Sequence, residues 1–156
     1  MPFIGIISDE KTGNCIRKEI LETLKINENS IIVIKEKNID NIKNIKFDLI
    51  LINKEIDIDN KILKKILNNS KYLVINIDTK FDIDILENNE QIIITYGFNT
   101  KADITTSSVE KDEMLICVQK DIRSYNNKII EPQEIKTSIK DNSICTMAIN
   151  AICIIV

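Results

Sequence analysis

The sequence predicts an α/β fold: a doubly wound, mostly parallel sheet with helices on both faces, plus a small antiparallel β extension in the second half. In the first half, short and almost continuously apolar runs alternate with segments of helical spacing, which is typical of parallel strands buried on both faces. After residue 103 the runs are short and separated by tight turns, as in antiparallel sheets. We therefore predict a single domain over 1–156, with the parallel part at about 1–100, the antiparallel extension at about 101–140 and a closing helix at about 142–156.

The parallel part follows from its apolar runs and helical spacings. The predicted strands are Phe3–Ser8, Ser30–Ile34, Phe47–Ile52, Tyr72–Ile77 and Gln91–Tyr96. The predicted helices are Asn14–Lys25, Asn60–Asn69 and a short helix at Ile83–Leu86. Gly13 and Asn14 read as the start signals of the first helix.

The second half has shorter elements. The predicted strands are Ile104–Glu110, Glu113–Gln119, Lys128–Ile130 and Ile135–Ser138, with a turn at Tyr125–Lys128. Ser143–Val156 is an apolar helix or strand, and its Met and Ala content favours a helix.

Composition excludes several functional classes. The net charge is −3 and no basic stripe is present, so we expect no nucleic-acid partner. No charged leader precedes an apolar run, and the longest apolar stretch, Ile144–Val156, is too short to span a membrane. These observations predict a cytoplasmic protein with no membrane contact.

The reactive side chains are few. The chain has four cysteines, none in a CxxC pair, and no histidine. Buried, reduced thiols are therefore favoured over a metal site, and the usual Ser or Cys triads are excluded. We predict no metal site and no catalytic residues.

Three segments, in this order, carry a resemblance to a known family. Tyr72–Asp78 ends in Asn-x-Asp, and Ile93–Ser108 contains Tyr-Gly-Phe-Asn and Ala-Asp. Asn142–Ile154 begins with Asn142 and contains a displaced Asn-Ala pair, Asn150 and Ala151. Together they resemble the central ATPase domain of the Mur ligases and their relatives, which use ATP to form an acyl phosphate that an amine attacks. The resemblance implies that Asn76 and Asp78 lie near the position of a nucleotide base. The family's second Asp is replaced by Thr79, and its helix-opening His is absent.

The first half departs from the family at the phosphate-binding loop. That loop needs glycines so that backbone N–H groups surround the phosphates, with Lys and Thr for charge and magnesium. The segment in its place is Ser8, Asp9, Glu10, Lys11 and Thr12. Lys11 and Thr12 resemble the end of the motif, while Asp9 and Glu10 bring negative charge to the phosphate position. We interpret it as a degenerate phosphate loop with no bound cofactor, or as a plain strand-to-helix connection.

Three functional hypotheses follow. The leading one is a non-catalytic Mur-ligase-like domain, a binding or regulatory module linked by resemblance to cell-wall or peptide-polymer assembly. The second is a partial subunit of an ATP-dependent amide ligase, completed by another chain. The third is a small-ligand binding domain, because open parallel sheets bind ligands beyond the carboxyl ends of their strands. Candidates for that ligand edge are Asn53, Asn76, Asp78 and Asn99, beside Ser8 and Asp9.

The C-terminal segment leaves two alternatives open. Its apolar residues are core if they pack on the sheet. If they are exposed, then Ile149, Ile152 and Ile155 form a patch suited to a protein partner or to a homo-oligomer.

Overall fold

The computed structural model of the chain describes residues 1–55, 58–81, 85–86 and 90–156. The strands are β1 Ile4–Ile7, β2 Ile31–Ile34, β3 Leu49–Ile52, β4 Tyr72–Asn76, β5 Ile92–Tyr96, β6 Ile104–Val109, β7 Glu113–Val118, β8 Ile122–Arg123, β9 Ile129–Ile130 and β10 Gln133–Ser138. The helices are α1 Glu10–Leu24, α2 Ile39–Ile42, α3 Asn60–Asn68 and α4 Ser143–Ile155, with short 3₁₀ turns at Glu28–Ser30 and Glu36–Asn38.

Eight strands form one sheet in the order β10-β7-β6-β5-β4-β3-β1-β2, and β8 and β9 pair separately. Strands β2, β1, β3, β4, β5 and β6 are parallel, while β7 and β10 are antiparallel to their neighbours. This confirms the predicted fold class. The extension continues the main sheet, because its first strand, β6, is still parallel to β5.

Helices cover both faces of the sheet, and each face has its own apolar cluster. On one face α1 and α4 pack on residues such as Ile6, Leu51 and Val74. On the other, α2 and α3 pack on residues such as Ile50 and Leu73. The alternation follows from the period-2 geometry of a strand buried on both sides.

Helix α4 is core. Ile149, Ile152 and Ile155 are buried against the sheet and α1, so the exposed-patch alternative is wrong for these three side chains. The preference for a helix over a strand is confirmed. No helix in the described ranges has both the length and the apolar character needed to cross a membrane.

Helix α1 begins at Glu10 rather than at Asn14. Asp9 is its N-cap, and its Oδ1 accepts from the Thr12 N–H at 3.1 Å. Gly13 lies inside the helix, where a Cβ would come within 2.8 Å of Val33 Cγ1. The glycine therefore lets α1 approach β2 closely and is not a start signal.

The remaining boundaries differ by small amounts. The helix predicted at Asn60–Asn69 and the five predicted parallel strands are present. The short helix predicted at Ile83–Leu86 falls largely outside the described residues. Helix α2 and strand β8 were not predicted, because both are too short for a periodic signal.

Candidate functional site

The candidate site lies where the strand order changes direction. From β1 the chain crosses to β2, whereas from β3 it continues to β4 on the other side. Ligands of open α/β sheets bind beyond the carboxyl ends of strands at such a switch point. Ser8 follows β1 and Asn53 follows β3, and the Asn53 N–H donates to Ile7 O at 3.0 Å.

Four polar side chains meet beneath α1 and α4 at this edge, and we call them the carboxyl-edge network: Ser8, Asn53, Asn76 and Tyr96. Asn53 Nδ2 donates to Ser8 Oγ at 3.1 Å, and the Tyr96 hydroxyl donates to Asn53 Oδ1 at 2.7 Å. Asn76 Nδ2 donates to the Asn53 carbonyl at 3.0 Å. All four residues are buried. They continue the strand alternation onto the face covered by α1 and α4, which brings them together.

Burial fixes the protonation of the network. It raises the pKa of Tyr96 well above its usual value, so the phenol keeps its proton and acts as a donor to Asn53. None of the network's side-chain atoms is buried without a partner. Because both ends of the Asn53 amide are used, its side chain is held in one orientation.

Asp78 is bonded to the loop that follows β5. Its carboxylate accepts from the N–H groups of Phe98, at 2.6 Å, and Asn99, at 3.0 Å. Gly97 has a φ of 145°, and a Cβ there would lie 2.6 Å from Asp78 Oδ2. Successive backbone N–H groups of this kind form an anion-binding concavity, and here the chain's own carboxylate occupies it. The Asn99 side chain bonds its own loop, accepting from the Lys101 N–H at 2.9 Å.

The segment in the phosphate-loop position is short. Only Ser8 and Asp9 connect β1 to α1, and Glu10, Lys11 and Thr12 form the first turn of the helix. The hydrogen bond from the Thr12 backbone lowers the pKa of Asp9, and Lys54, with Nζ at 3.7 Å, lowers it further. Asp9 is therefore ionised at neutral pH, and its carboxylate lies at the positive end of the α1 dipole.

The other charged groups of this turn point outward. Glu10 pairs with Lys35, and that hydrogen bond lowers the pKa of Glu10. Lys11 is exposed. The structure therefore joins Ser8, Asn53 and Asn76 by hydrogen bonds, whereas Glu10 is paired with Lys35 and Lys11 is exposed.

A small cavity lies beside the switch point on the opposite face. Its volume is about 80 Å³, and its lining includes Ile7, Ile52, Lys54, Leu63 and Phe81. The walls are mostly apolar, with the charged residues Lys54 and Glu55 near the sheet edge. Pockets for typical small molecules are several times larger, at roughly 300–1,000 Å³.

Cys145 and Cys153 are poor ligands and nucleophiles. Burial raises the pKa of Cys145 and of Cys153 to about 11, so both stay protonated at neutral pH. Across the described ranges, no group of three or more His, Cys, Asp or Glu side chains is arranged to hold a metal ion.

No family model matches the sequence, and no curated protein matches it either.

Two contributors to the site were not predicted. Tyr96 belongs to the predicted strand and to the Tyr-Gly-Phe-Asn motif but is not among the predicted site residues, although its position at the end of β5 places it level with Asn76 in the pairing register. Lys54 was not singled out, although it follows Asn53 directly and faces Asp9. The useful signal is the same for both: polar or amphipathic residues at the carboxyl ends of neighbouring parallel strands.

Proposed function

We propose that this chain is a non-catalytic domain of the Mur-ligase type, acting as a binding or regulatory module that does not use ATP. The observation that carries the proposal is the bond from the Thr12 N–H to Asp9 Oδ1 at the start of α1. A bound phosphate would need the N–H groups and the positive dipole end at the start of α1. The Asp9 carboxylate already accepts from the Thr12 N–H, and its negative charge repels a second anion.

The rest of the carboxyl edge supports the same proposal. The amide groups of Asn53 and Asn76 each use their nitrogen and their oxygen within the chain. The Asp78 carboxylate likewise uses the N–H groups of Phe98 and Asn99. A nucleotide would have to break these bonds before making its own, which costs the desolvation of each group left unpaired.

The link to cell-wall or peptide-polymer assembly rests on the resemblance of the three ordered segments. The same resemblance supports the proposal that the protein works in the cytoplasm, where the Mur ligases make cell-wall precursors. We propose that the domain binds another protein and not a small molecule at its polar edge, because the polar side chains at that edge already bond one another.

Calorimetric titration tests the proposal. The full chain is titrated with Mg-ATP, Mg-ADP and inorganic phosphate, and we expect no saturable heat up to millimolar ligand. Micromolar affinity that depends on the γ-phosphate would overturn the proposal.

Asp9→Asn keeps the helix cap and removes its charge, so weak anion binding that appears only in this variant would identify charge as the obstacle. Asp59→Asn is the matched control, because Asp59 caps α3 in the same way.

The cavity beside the switch point favours a second candidate function, the binding of a very small ligand. Its volume of about 80 Å³ suits a group of a few non-hydrogen atoms, with an apolar body and a polar end near Lys54 or Glu55. Thermal-shift measurements with short amines and short carboxylic acids test this function. We expect any stabilisation to disappear in Leu63→Phe, which fills the cavity, and an unchanged shift in that variant would exclude the cavity.

A further inference from the structure

The two edges of the eight-stranded sheet differ in how their backbone groups are used. At the β2 edge, Arg17 Nε donates to Ile31 O at 3.1 Å and Asn38 Nδ2 donates to Val33 O at 3.0 Å. Side chains of the same chain therefore occupy the carbonyl groups that another strand would use. Protection of this kind is a common way to prevent edge-to-edge association.

The β10 edge is open. The Ile139 N–H donates to Asp112 O at 2.9 Å, and in an antiparallel ladder this assigns the odd-numbered residues of β10 to β7. Glu134, Lys136 and Ser138 consequently direct their N–H and C=O groups away from the sheet. All three residues are exposed, and within the described ranges no side chain bonds these backbone groups. The open edge runs the length of a six-residue strand.

The charges on this strand are complementary to a second copy of the same strand. Glu134 and Lys136 lie on one face, on either side of Ile135. If a second β10 is laid antiparallel with the two Ile135 residues opposite each other, each Glu134 faces a Lys136. The same backbone bonds are available if the register shifts by two residues, but then Glu134 faces Glu134 or Lys136 faces Lys136. Charge therefore selects the register centred on Ile135.

We propose that two copies of this chain associate through β10, antiparallel and centred on Ile135, to form a continuous sheet across a two-fold axis. In this arrangement Glu134 and Lys136 of each copy exchange backbone hydrogen bonds with their opposites. The cross-strand charge pairs lie on the face away from α4.

Contacts within each copy hold the charged side chains in place on that face. Lys136 Nζ lies 2.7 Å from Glu113 Oε2, and Glu134 Oε1 accepts from Ser107 Oγ at 2.7 Å. The interface is small, so association is expected to be weak and to depend on concentration. This inference is independent of whether the chain binds ATP.

Sedimentation analysis of the full chain over a concentration series tests the inference. We expect the weight-average mass to rise from the 17.9 kDa of one chain towards twice that value as concentration increases. Lys136→Glu and Glu134→Lys should each remain monomeric over the same range, because each places like charges opposite one another. Lys18→Glu makes the same charge change as Lys136→Glu but lies on the exposed face of α1, so it should associate like the wild type.

An equimolar mixture of the two single variants gives the decisive result. Residue 134 of one variant then faces residue 136 of the other with opposite charge at both positions, so the mixture should regain the dimer that neither variant forms alone. A wild type that stays monomeric throughout, a Lys136→Glu variant that associates as well as the wild type, or a mixture that stays monomeric would each overturn the proposal. Circular dichroism of each variant confirms that it is folded, and the exposed positions make unfolding unexpected.

Discussion

The hydroxyl of Tyr96 reaches across the intervening strand β4 to donate to Asn53 Oδ1 at 2.7 Å. Both residues are buried, so Asn53 Oδ1 has no water to replace a lost partner. We expect Tyr96→Phe to lower the free energy of unfolding by about 1–3 kcal/mol, the cost of leaving a buried acceptor unsatisfied. Urea unfolding followed by circular dichroism measures the change.

The matched control is Tyr125→Phe, which removes a hydroxyl from a half-buried ring. Its effect should be clearly smaller. Equal losses in the two variants would mean that the bond to Asn53 contributes nothing particular to the carboxyl-edge network.

The Asp9 cap predicts a substitution effect and a pH dependence. Asp9→Ala should lower the free energy of unfolding by about 1 kcal/mol, and Asp9→Asn by a fraction of that, because Asn also caps helices well.

The pKa of Asp9 is lowered in the folded chain, chiefly by the Thr12 N–H, so the unfolded chain binds more protons as the pH falls. The ionised cap stabilises the fold above a pH of about 4, the pKa of an unperturbed Asp, and this contribution is lost as the pH falls through the lower folded value.

Unfolding measurements on wild type and Asp9→Asn between pH 7 and pH 3 check the sign. The stability difference between them should shrink on the acid side. A difference that grows as the pH falls would contradict the assigned role of the carboxylate.

Gly97 predicts a large effect from a single methyl group. Gly97→Ala places a Cβ 2.6 Å from Asp78 Oδ2 at a backbone φ of 145°, and we expect a loss of roughly 2 kcal/mol or more. Part of the loss comes from the clash and part from the backbone. In an Asp78→Ala background the clash is relieved while the backbone strain remains, so the additional cost of Gly97→Ala should be smaller there. A double-mutant cycle by urea unfolding measures this coupling, and strictly additive costs would refute it.

The raised pKa values of the buried Cys145 and the half-buried Cys153 predict slow alkylation. With a pKa of about 11, Cys145 and Cys153 hold little thiolate at pH 8, roughly a hundredfold less than an ordinary cysteine. We expect iodoacetamide to modify both at least tenfold more slowly in the folded chain than in urea. Peptide mass spectrometry over a time course resolves the four cysteines individually, and rapid labelling of the buried Cys145 in the folded chain would show that α4 opens readily.

The strands of this fold were predictable because their cause is local. A strand buried on both faces must be apolar at every position, and runs such as Leu49–Ile52 show this directly. The start of α1 was not predictable. Gly13 lies within the helix and allows close contact with Val33, and the sequence alone does not show whether a glycine ends a helix or allows close packing within it. Helix α2 and strand β8 are defined by tertiary contacts and are too short to show a period.

The site was predictable to a similar extent. Ser8, Asn53 and Asn76 were expected at one edge because parallel strands present their carboxyl ends together, and the structure places them in hydrogen-bonding contact. The role of Tyr96 depends on the pairing register, which places its hydroxyl across β4 from Asn53 and which the local sequence does not specify. Asn99 stays a predicted ligand-edge residue, and in the structure its side-chain oxygen accepts from the Lys101 N–H of its own loop.

The packing of α4 against α1 has a consequence for how the chain acquires its structure. The two helices are far apart in the sequence, and together they cover one face of the sheet, with α1 on β1 and β2 and α4 on β4, β5, β6 and β7. A ribosome delivers α1 and the first strands long before α4, so during synthesis that face lacks part of its cover. Contacts between distant segments also slow folding, because a long loop must close before they form. Nascent chains of this protein are therefore expected to need shielding of their aliphatic strands until α4 has emerged.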